Sequence, residues 1–222
     1  MARIRGVILD VDGTLVDSNH AHAQAWVDAL TEAGYQVEYE KVRAGIGMGG
    51  DKLLPSVIGV EKDSDEGKRL SKRRTEIFQK HYLPHLQAFP QTRELLQRIR
   101  ERAIRLAVAS SAEEKELKAL LKIAGADDLI AMKASSEEVE HTKPDPDIVE
   151  SAYGLLGNSS DEVVMIGDTP YDVQAATRAG VRAIAFRCGG WDDEALAGAS
   201  AIYDGPADLL AHLDESIIAA RP

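Results

Sequence analysis

The sequence predicts an α/β protein: a mostly parallel, Rossmann-like sheet with helices on both faces, plus an inserted helical cap subdomain. Two observations support this prediction. Over most of the chain, short apolar runs alternate with amphipathic stretches, which is the pattern of successive strand–helix–strand units. The alternation is absent between the first apolar run and Thr92, where almost the whole sequence has helical spacing.

Buried strands are predicted where a short apolar run contains few charges. Such runs occupy residues 4–9, 104–109, 162–166 and 181–186, with weaker candidates at 129–132 and 201–203. Helical spacing fills the intervals between the later strands, over residues 92–102, 113–124, 146–156 and 171–179. Three of these helices should end at a glycine, namely Gly125, Gly157 and Gly180.

The inserted segment has helical spacing over residues 19–33, 39–44, 51–58 and 66–81. A crossover between parallel strands needs only about a dozen residues, so this segment is longer than a simple connection requires. We predict a helical cap over residues 17–87 and a discontinuous core formed by 1–16 and 88–222. Because the cap follows the first strand, we expect it beside the edge where open α/β sheets bind their ligands.

Composition and charge exclude several classes of function. The formal net charge of -11 leaves no basic surplus to match the phosphates of a nucleic acid. No apolar run approaches the length of a membrane span, and no signal-peptide pattern precedes the first strand. The single cysteine, Cys188, fits a reducing compartment. We therefore predict a cytoplasmic protein that contacts neither nucleic acid nor membrane.

Four polar positions stand at the ends of predicted strands. The first is formed by Asp10 and Asp12, which follow the first strand one residue apart and precede Gly13. Two carboxylates at the end of a buried strand are costly unless a cation neutralises them, and a divalent cation is the obvious candidate. For this motif alone, an Asp-Gly turn without chemistry is the alternative interpretation.

The second polar position is Ser110, at the end of the strand predicted over residues 104–109. Ser111 and Glu114 have the spacing of a capping box, which predicts that the next helix begins here. A hydroxyl beside the free amides of a helix N-terminus makes a site for a phosphate-sized anion. The alternative is that Ser110 only precedes the start of the next helix and binds no anion.

The third and fourth polar positions add a cation and further carboxylates. Lys143 lies in segment 141–147, where two prolines stiffen the backbone and can hold a fixed positive charge. Asp168 stands at a strand end and suits an oxygen-ligand set for Mg²⁺. Asp172 could belong to the same site, or it could serve only to cap the following helix together with Thr169.

In this order, the four positions resemble the haloacid-dehalogenase-type phosphohydrolases. That family's signatures are DxDGT, a Ser or Thr after a later strand, a Lys, and GDxxxD; their counterparts here are Asp10 to Thr14, Ser110, Lys143, and Gly167-Asp168 with Asp172. Segments 15–18 and 46–51 also resemble the phosphoglycolate-phosphatase-like and β-phosphoglucomutase-like group. The resemblance spans almost the whole chain, including the helical cap.

The resemblance implies a role for each matching residue. Asp10 is the implied nucleophile, which forms an aspartyl phosphate, and Asp12 is the implied general acid and base. Ser110 and Lys143 are expected to hold phosphate oxygens, and Lys143 also to neutralise Asp10. Mg²⁺ is the implied cofactor, with ligands from Asp10, the backbone carbonyl of Asp12, and Asp168, supported by Asp172.

The predicted substrate contacts form two sets. In the core they are the nucleophile, its turn, and the hydroxyl and cation positions: Asp10, Gly13, Thr14, Ser110, Ser111 and Lys143. In the cap, His22 matches a histidine that lies near the substrate in the β-phosphoglucomutase-like group, although a merely packed histidine is the alternative. A glycine-rich segment, which could also be a plain connector, adds Met48, Gly49 and Gly50.

The resemblance implies a Mg²⁺-dependent phosphatase for a small phosphomonoester, phosphoglycolate- or sugar-phosphate-like, which would be its small-molecule partner. The alternative is a β-phosphoglucomutase-like phosphomutase, which shares the core. Such mutases carry an arginine in the cap loop near the place of Gly50, although Lys52 or Arg43 could substitute for it. A haloacid dehalogenase is less consistent with the sequence, because those relatives lack the second acid that Asp12 supplies.

Overall fold

The computed structural model describes residues 2–130, 132–135, 139 and 141–219. Within these residues, six strands form one sheet in which all neighbouring pairs run parallel. The strands are β1 (Gly6–Leu9), β2 (Arg105–Ser110), β3 (Met132–Ser135), β4 (Val163–Gly167), β5 (Arg182–Phe186) and β6 (Ala201–Tyr203). Their order across the sheet is β3-β2-β1-β4-β5-β6. The predicted fold class, a Rossmann-like α/β protein, is confirmed.

The described helices fall into two groups. Four lie in the inserted segment: α1 (Asn19–Glu32), α2 (Tyr39–Ala44), α3 (Gly50–Ile58) and α4 (Asp65–Ile77). The others accompany the sheet: α5 (Thr92–Glu101), α6 (Glu114–Ile123), α7 (Asp147–Leu156), α8 (Pro170–Arg178) and α9 (Pro206–Ala211). As predicted, Gly157 ends α7 in the left-handed conformation, at φ 60°.

The strand register at the centre of the sheet brings three strand ends together. Leu9 of β1 lies beside Val108 of β2 and Ile166 of β4. The amide of Asp10 donates to the carbonyl oxygen of Ile166 at 2.9 Å, which extends the ladder by one residue. The residues that follow β1, β2 and β4 therefore share the carboxyl edge of the sheet, where folds of this class bind ligands.

The centre of the sheet is buried on both faces. Ile8 of β1 and Met165 of β4 belong to an apolar cluster that includes Ile148 of α7 and other residues of α7 and α8. Val7 and Leu9 are also fully buried. Because successive side chains of a strand point to opposite faces, these two residues pack on the other side. The near-continuous apolar sequence of β1 reflects this double burial.

One predicted strand is displaced. Residues 129–132 were expected to be extended, but β3 begins only at Met132. Leu129 and Ile130 lie in a turn, in which their amides donate to the carbonyl oxygen of Ala126 at 3.0 and 3.1 Å. Ile130 is buried there, so the apolar run reflects a packed turn followed by a strand. Residue 131 lies outside the described residues.

The chain divides into two compact units, one within residues 1–17 and 87–222 and the other within 18–86. In the first unit, the chain on either side of the insertion is paired. Val16 and Ala88 form an antiparallel bridge, and the amide of Asp17 donates to the carbonyl oxygen of Gln87 at 2.9 Å. The insertion therefore begins and ends at neighbouring points of the core.

The second unit has an apolar core of its own, whose central members are Trp26, Leu30, Leu53, Leu54 and Leu70. The start of α4 is capped by Ser64, whose hydroxyl oxygen accepts a hydrogen bond from the amide of Gly67 at 3.0 Å. After Ile77, α4 passes into one π-helical turn, Phe78–Tyr82. None of the described helices in either unit is long and apolar enough to cross a membrane.

Candidate active site

The turn after β1 places its polar side chains at the carboxyl edge. The amides of Gly13 and Leu15 donate to the carbonyl oxygens of Val16 and Val11 at 2.8 and 2.9 Å, which folds the chain back on itself. Gly13 has φ 76°, a conformation that favours glycine. The turn presents Asp10, which is buried, and Asp12, which is half-buried, in succession.

Thr14 connects this turn with the end of β4. Its hydroxyl donates to Asp168 Oδ1 at 2.8 Å and lies 3.3 Å from Asp10 Oδ2. Both Thr14 and Asp168 are fully buried. The predicted convergence of the first and fourth polar positions is therefore present in the structure.

Lys143 lies between two carboxylates. Its Nζ donates to Asp10 Oδ1 at 2.5 Å and to Asp172 Oδ1 at 2.7 Å, and the residue is only 1% exposed. Burial alone would lower the pKa of Lys143, but the two carboxylates outweigh it and raise the pKa above its usual value. Lys143 is therefore a fixed positive charge that contacts Asp10.

Asp172 has both of the roles that the sequence left open. It forms the predicted capping box at the start of α8: its Oδ2 accepts the amide of Thr169 at 3.0 Å and the hydroxyl of Thr169 at 2.6 Å. Its Oδ1 accepts Lys143. The helix start thus fixes the orientation of the carboxylate that holds the lysine in place.

Three buried carboxylates, from Asp10, Asp168 and Asp172, could hold a metal ion, because one oxygen of each lies within 4.8 Å of the others. Burial raises the pKa of Asp10 well above its usual range; Lys143 opposes this rise, while the nearby acidic residues add to it. One lysine cannot balance three buried carboxylates. An all-oxygen donor set with excess negative charge suits a hard divalent cation.

The hydrogen bonds of Asp172 bear on its role in this cluster. The two oxygens of Asp172 already accept three hydrogen bonds, from Lys143 and Thr169. Asp172 is therefore held by the start of α8 and by Lys143, which suits the supporting position that the sequence predicts for it.

Ser110 is the last residue of β2 and is buried at the same edge of the sheet. Its Oγ accepts the amide of Ala112 at 3.1 Å, so its own proton can be donated to an anion. The predicted capping box of Ser111 and Glu114 is wrong. Helix α6 begins at Glu114, with Glu113 as an N-cap that makes no side-chain hydrogen bond.

A family model described as "Haloacid dehalogenase-like hydrolase" matches residues 7–186, which include β1 to β5, the insertion and all four polar positions. The chain belongs to this family. This finding confirms the resemblance that the order of the four polar positions indicated.

Two relatives and one solved structure illustrate the similarity of this hydrolase to known proteins. The phosphoglycolate phosphatase of Rhodospirillum rubrum is 30% identical over 92% of this chain and 89% of its own. The pyrophosphatase PpaX of Halalkalibacterium halodurans is 26% identical over 81% of each chain. The crystal structure of a hydrolase from Pseudomonas syringae superposes with a TM-score of 0.88, at 31% identity, over 95% of this chain and 98% of that one.

Two glycines make room for carboxylates at this edge of the sheet: Gly167, which belongs to the predicted GDxxxD motif, and Gly189, which was not predicted. A Cβ on Gly167 would lie 2.4 Å from Asp172 Cγ, and a Cβ on Gly189 would lie 1.8 Å from Asp168 Oδ2. Only glycine leaves room for the two carboxylates. Gly189 lies three residues after the end of β5, and its position after a predicted strand was the available signal.

In the second unit, His22 is buried against the ring of Phe78, with ring centroids 4.1 Å apart. Its Nδ1 contacts the guanidinium of Arg74, which lies 4.9 Å from the Phe78 ring centroid and 5.7 Å from that of Trp26. Arg74 was not predicted as a site residue, because it belongs to a basic stretch, residues 68–74, whose composition indicates a solvent-exposed helix face.

The glycine-rich segment of the second unit leads into α3. Gly49 is the N-cap residue of this helix and Gly50 its first residue, with Met48 half-buried before them. A Cβ on Gly50 would make ordinary contacts with Lys62 and Trp26, at 3.6 Å or more. The segment therefore forms a helix start within the second unit.

Proposed function

We propose that this hydrolase is a Mg²⁺-dependent phosphatase that cleaves a small phosphomonoester through an aspartyl phosphate on Asp10. The observation that carries the proposal is the position of Lys143 Nζ, between Asp10 and Asp172, which cluster with Asp168. This arrangement supplies a carboxyl nucleophile beside a fixed cation, and further carboxylates for a metal ion. The names of the relatives, a phosphoglycolate phosphatase and a pyrophosphatase, support phosphate chemistry.

The first half of the proposed reaction moves the phosphoryl group to the protein. An oxygen of Asp10 attacks phosphorus, and the bond between phosphorus and the ester oxygen breaks. Asp12 gives its proton to the departing alkoxide, which leaves as the alcohol. Lys143 opposes the rise in the pKa of Asp10 that burial causes, and the hydroxyl of Ser110 donates to a phosphate oxygen.

The second half regenerates the enzyme. Asp12, now a carboxylate, takes a proton from water as the water oxygen attacks phosphorus, and the bond between Asp10 and phosphorus breaks to release inorganic phosphate. When bound by Asp10, Asp168 and the carbonyl of Asp12, Mg²⁺ would offset the repulsion between the carboxylate and the phosphate dianion. Asp172 holds Lys143 in position through both steps.

We further propose that the second unit, residues 18–86, acts as a cap that recognises the organic part of the substrate. The guanidinium of Arg74, which contacts His22 and the rings of Phe78 and Trp26, is a positive charge held by packing. A carboxylate or a second phosphate on the substrate matches such a charge. This supports a phosphoglycolate- or sugar-phosphate-like substrate.

The test is a screen of small phosphomonoesters with the purified protein, in Mg²⁺ and in chelator, alongside Asp10→Asn. We expect Mg²⁺-dependent release of inorganic phosphate by the wild type only, because an amide at position 10 is a far weaker nucleophile. A trapped phosphoenzyme in the wild type that is absent from Asp10→Asn supports the covalent step. Full turnover by Asp10→Asn would contradict it.

The competing phosphomutase function gives a different product from the same screen. A sugar 1-phosphate supplied with catalytic bisphosphate would then yield its 6-phosphate isomer faster than free phosphate. We expect free phosphate to predominate, because Gly50 stands where such mutases are expected to carry an arginine. Predominance of the isomer would overturn the phosphatase proposal and leave the aspartyl phosphate in place.

A further inference from the structure

Residues 187–191 follow β5 and connect it to β6 and to the candidate active site; we call this segment the brace. Its first residues, Arg187–Gly189, form one 3-10 turn, which closes where the amide of Gly190 donates to the carbonyl oxygen of Arg187 at 2.8 Å. Gly190 has φ 90°, so the chain reverses at a glycine. The brace therefore begins at the carboxyl edge that carries the candidate active site.

The outer end of the brace is held by Arg187. Its Nε and Nη2 donate to the two oxygens of Asp193 at 2.5 and 2.9 Å, and its Nη1 donates to Asp204 Oδ1 at 2.8 Å. Asp204 directly follows β6. The Arg187 side chain is 39% exposed, so each ion pair adds little to stability by itself. A two-pronged guanidinium pair with a third contact nevertheless fixes geometry, because each bond is directional.

The inner side of the brace contacts the active-site turns. The thiol of Cys188 donates to the carbonyl oxygen of Gly13 at 3.3 Å. The backbone of Gly189 lies against the carboxylate of Asp168, since a Cβ there would be 1.8 Å from Asp168 Oδ2. At the far end, Trp191 packs edge-on against Tyr171 of α8, with ring centroids 6.2 Å apart.

We propose that Arg187 is a positioning residue for metal binding: by fixing the brace, it holds Gly189 against Asp168 and so limits the Asp168 carboxylate to one orientation. This inference rests on the proposed function, in which Asp168 is a ligand of Mg²⁺. Thr14 fixes one oxygen of Asp168 by a hydrogen bond at 2.8 Å, and the brace closes the side of the other oxygen. Groups that orient metal ligands in this way set metal affinity.

The test compares Arg187→Gln, Arg187→Lys and Gly189→Ala with the control variant Arg93→Gln. Arg93 also binds one carboxylate with two bonds, to Asp128 at 2.6 and 2.9 Å, and its side chain is similarly exposed at 44%. Binding of Mn²⁺ is measured by electron paramagnetic resonance on substrate-free protein. The Mg²⁺ concentration for half-maximal phosphatase activity is measured in parallel, and circular dichroism checks the fold.

We expect Arg187→Gln to weaken Mn²⁺ binding by about tenfold, the lower end of the range for residues that orient metal ligands. Gly189→Ala should weaken it at least as much, because its Cβ displaces Asp168. Saturating Mg²⁺ should restore kcat in Arg187→Gln, and Arg187→Lys should lie between that variant and the wild type. The fold check by circular dichroism without metal separates this effect from destabilisation, which metal binding to the folded state would also offset.

Three outcomes would overturn the inference. Unchanged Mn²⁺ affinity in both Arg187→Gln and Gly189→Ala would leave the brace without a role in metal binding. An equal loss in Arg93→Gln would assign the effect to general destabilisation. A wild-type protein that binds no Mn²⁺ and needs no Mg²⁺ for turnover would instead refute the proposed function itself.

Discussion

Lys143 is a buried charge whose burial is offset by two carboxylate partners. A buried lysine is unfavourable unless it is paired, and this one donates to both Asp10 and Asp172. Asp172 is in turn held by the capping box at the start of α8. The helix start therefore orients the carboxylate of Asp172. That carboxylate holds the lysine, and the lysine places a positive charge beside the proposed nucleophile.

At the same scale, Asp12→Asn tests the proposed general acid and base. The amide cannot exchange protons, whereas the backbone carbonyl assigned to the metal is unchanged. We expect kcat to fall by about 10²–10⁴-fold, the usual contribution of such proton transfer, while Mn²⁺ affinity stays close to that of the wild type. Steady-state phosphate release and Mn²⁺ titration are the two measurements.

The leaving group provides the control for Asp12→Asn. A p-nitrophenolate leaving group needs little protonation, so the first step should suffer less with p-nitrophenyl phosphate than with an alkyl phosphate. Near wild-type turnover of an alkyl phosphate by the variant would show that Asp12 is not the acid.

Arg74 and Arg73 form a matched pair for the proposed role of the cap. Arg74 contacts His22, whereas the neighbouring Arg73 binds Glu32 and Glu76. We expect Arg74→Gln to lower kcat/KM for a substrate with a second anionic group by roughly tenfold, the value of about 1.5 kcal/mol for a hydrogen bond to a charged group. Arg73→Gln should leave it unchanged.

The measurement for this pair is kcat/KM with two substrates. Turnover of p-nitrophenyl phosphate, which has no second anionic group, should be similar in Arg74→Gln and the wild type. Equal losses on both substrates would assign Arg74 to the stability of its own unit and not to recognition.

Residues differ in how far the sequence could reveal them. The positions of Asp10, Ser110 and Asp168 were predictable, because each stands at the end of an apolar run and strand ends of a parallel sheet meet at one edge. Lys143 was predicted from its proline-stiffened segment and its place in the motif order. Gly189 and Arg74 were not predicted, since the contacts that single them out join segments far apart along the chain. Their significance depends on register and packing that no local pattern encodes.

At the scale of elements, two glycines at the C-terminal end of α7 offer a test of helix energetics. Gly154 lies inside the helix and Gly157 just beyond it, and an added Cβ would meet nothing within 4 Å at either position. Only Gly157 has a left-handed backbone, with φ +60°. The two sites therefore differ in conformation and not in available space.

We expect Gly154→Ala to stabilise the protein by about 0.5–1 kcal/mol, because glycine is less favourable than alanine inside a helix. Gly157→Ala should destabilise it by about 1–2 kcal/mol, the cost of a left-handed backbone for a residue with a Cβ. Urea unfolding of both variants measures the two effects. Effects of the same sign would contradict this account.

The elements also show where local patterns are insufficient. The central strands were predictable because burial on both faces makes them continuously apolar. The edge strand β3 was misplaced, since Ile130 is buried in a turn and carries the same apolar signal as a strand residue. The capping box at Ser111 is wrong because α6 starts at Glu114, two residues later than a box with Ser111 as N-cap requires.

For the whole molecule, the three buried carboxylates of the candidate metal site predict that stability depends on divalent metal. A ligand that binds only the folded state stabilises it, by about 2.7 kcal/mol at a free concentration of about 100 times Kd. We therefore expect Mg²⁺ to raise the melting temperature of the wild type above its value in chelator. Differential scanning calorimetry checks this expectation.

Asp168→Asn sharpens the experiment, because it removes one ligand and one of the buried charges. In chelator this variant should melt at or above the temperature of the wild type, since repulsion among the carboxylates is relieved. In Mg²⁺ the order should reverse. Parallel melting curves for the two proteins under both conditions would show that no metal binds at this cluster.

The pairing of residues 16 and 17 with residues 88 and 87 has a consequence for protein engineering and for the evolution of the inserted helices. Because the chain departs from the scaffold and rejoins it at adjacent, hydrogen-bonded points, the intervening helices can be exchanged as a cassette without lengthening any strand or shifting the register. Grafting the corresponding helices of another haloacid dehalogenase-like hydrolase between these points offers a route to new selectivity. After gene duplication, such a replacement changes the inserted helices and leaves the catalytic core unchanged.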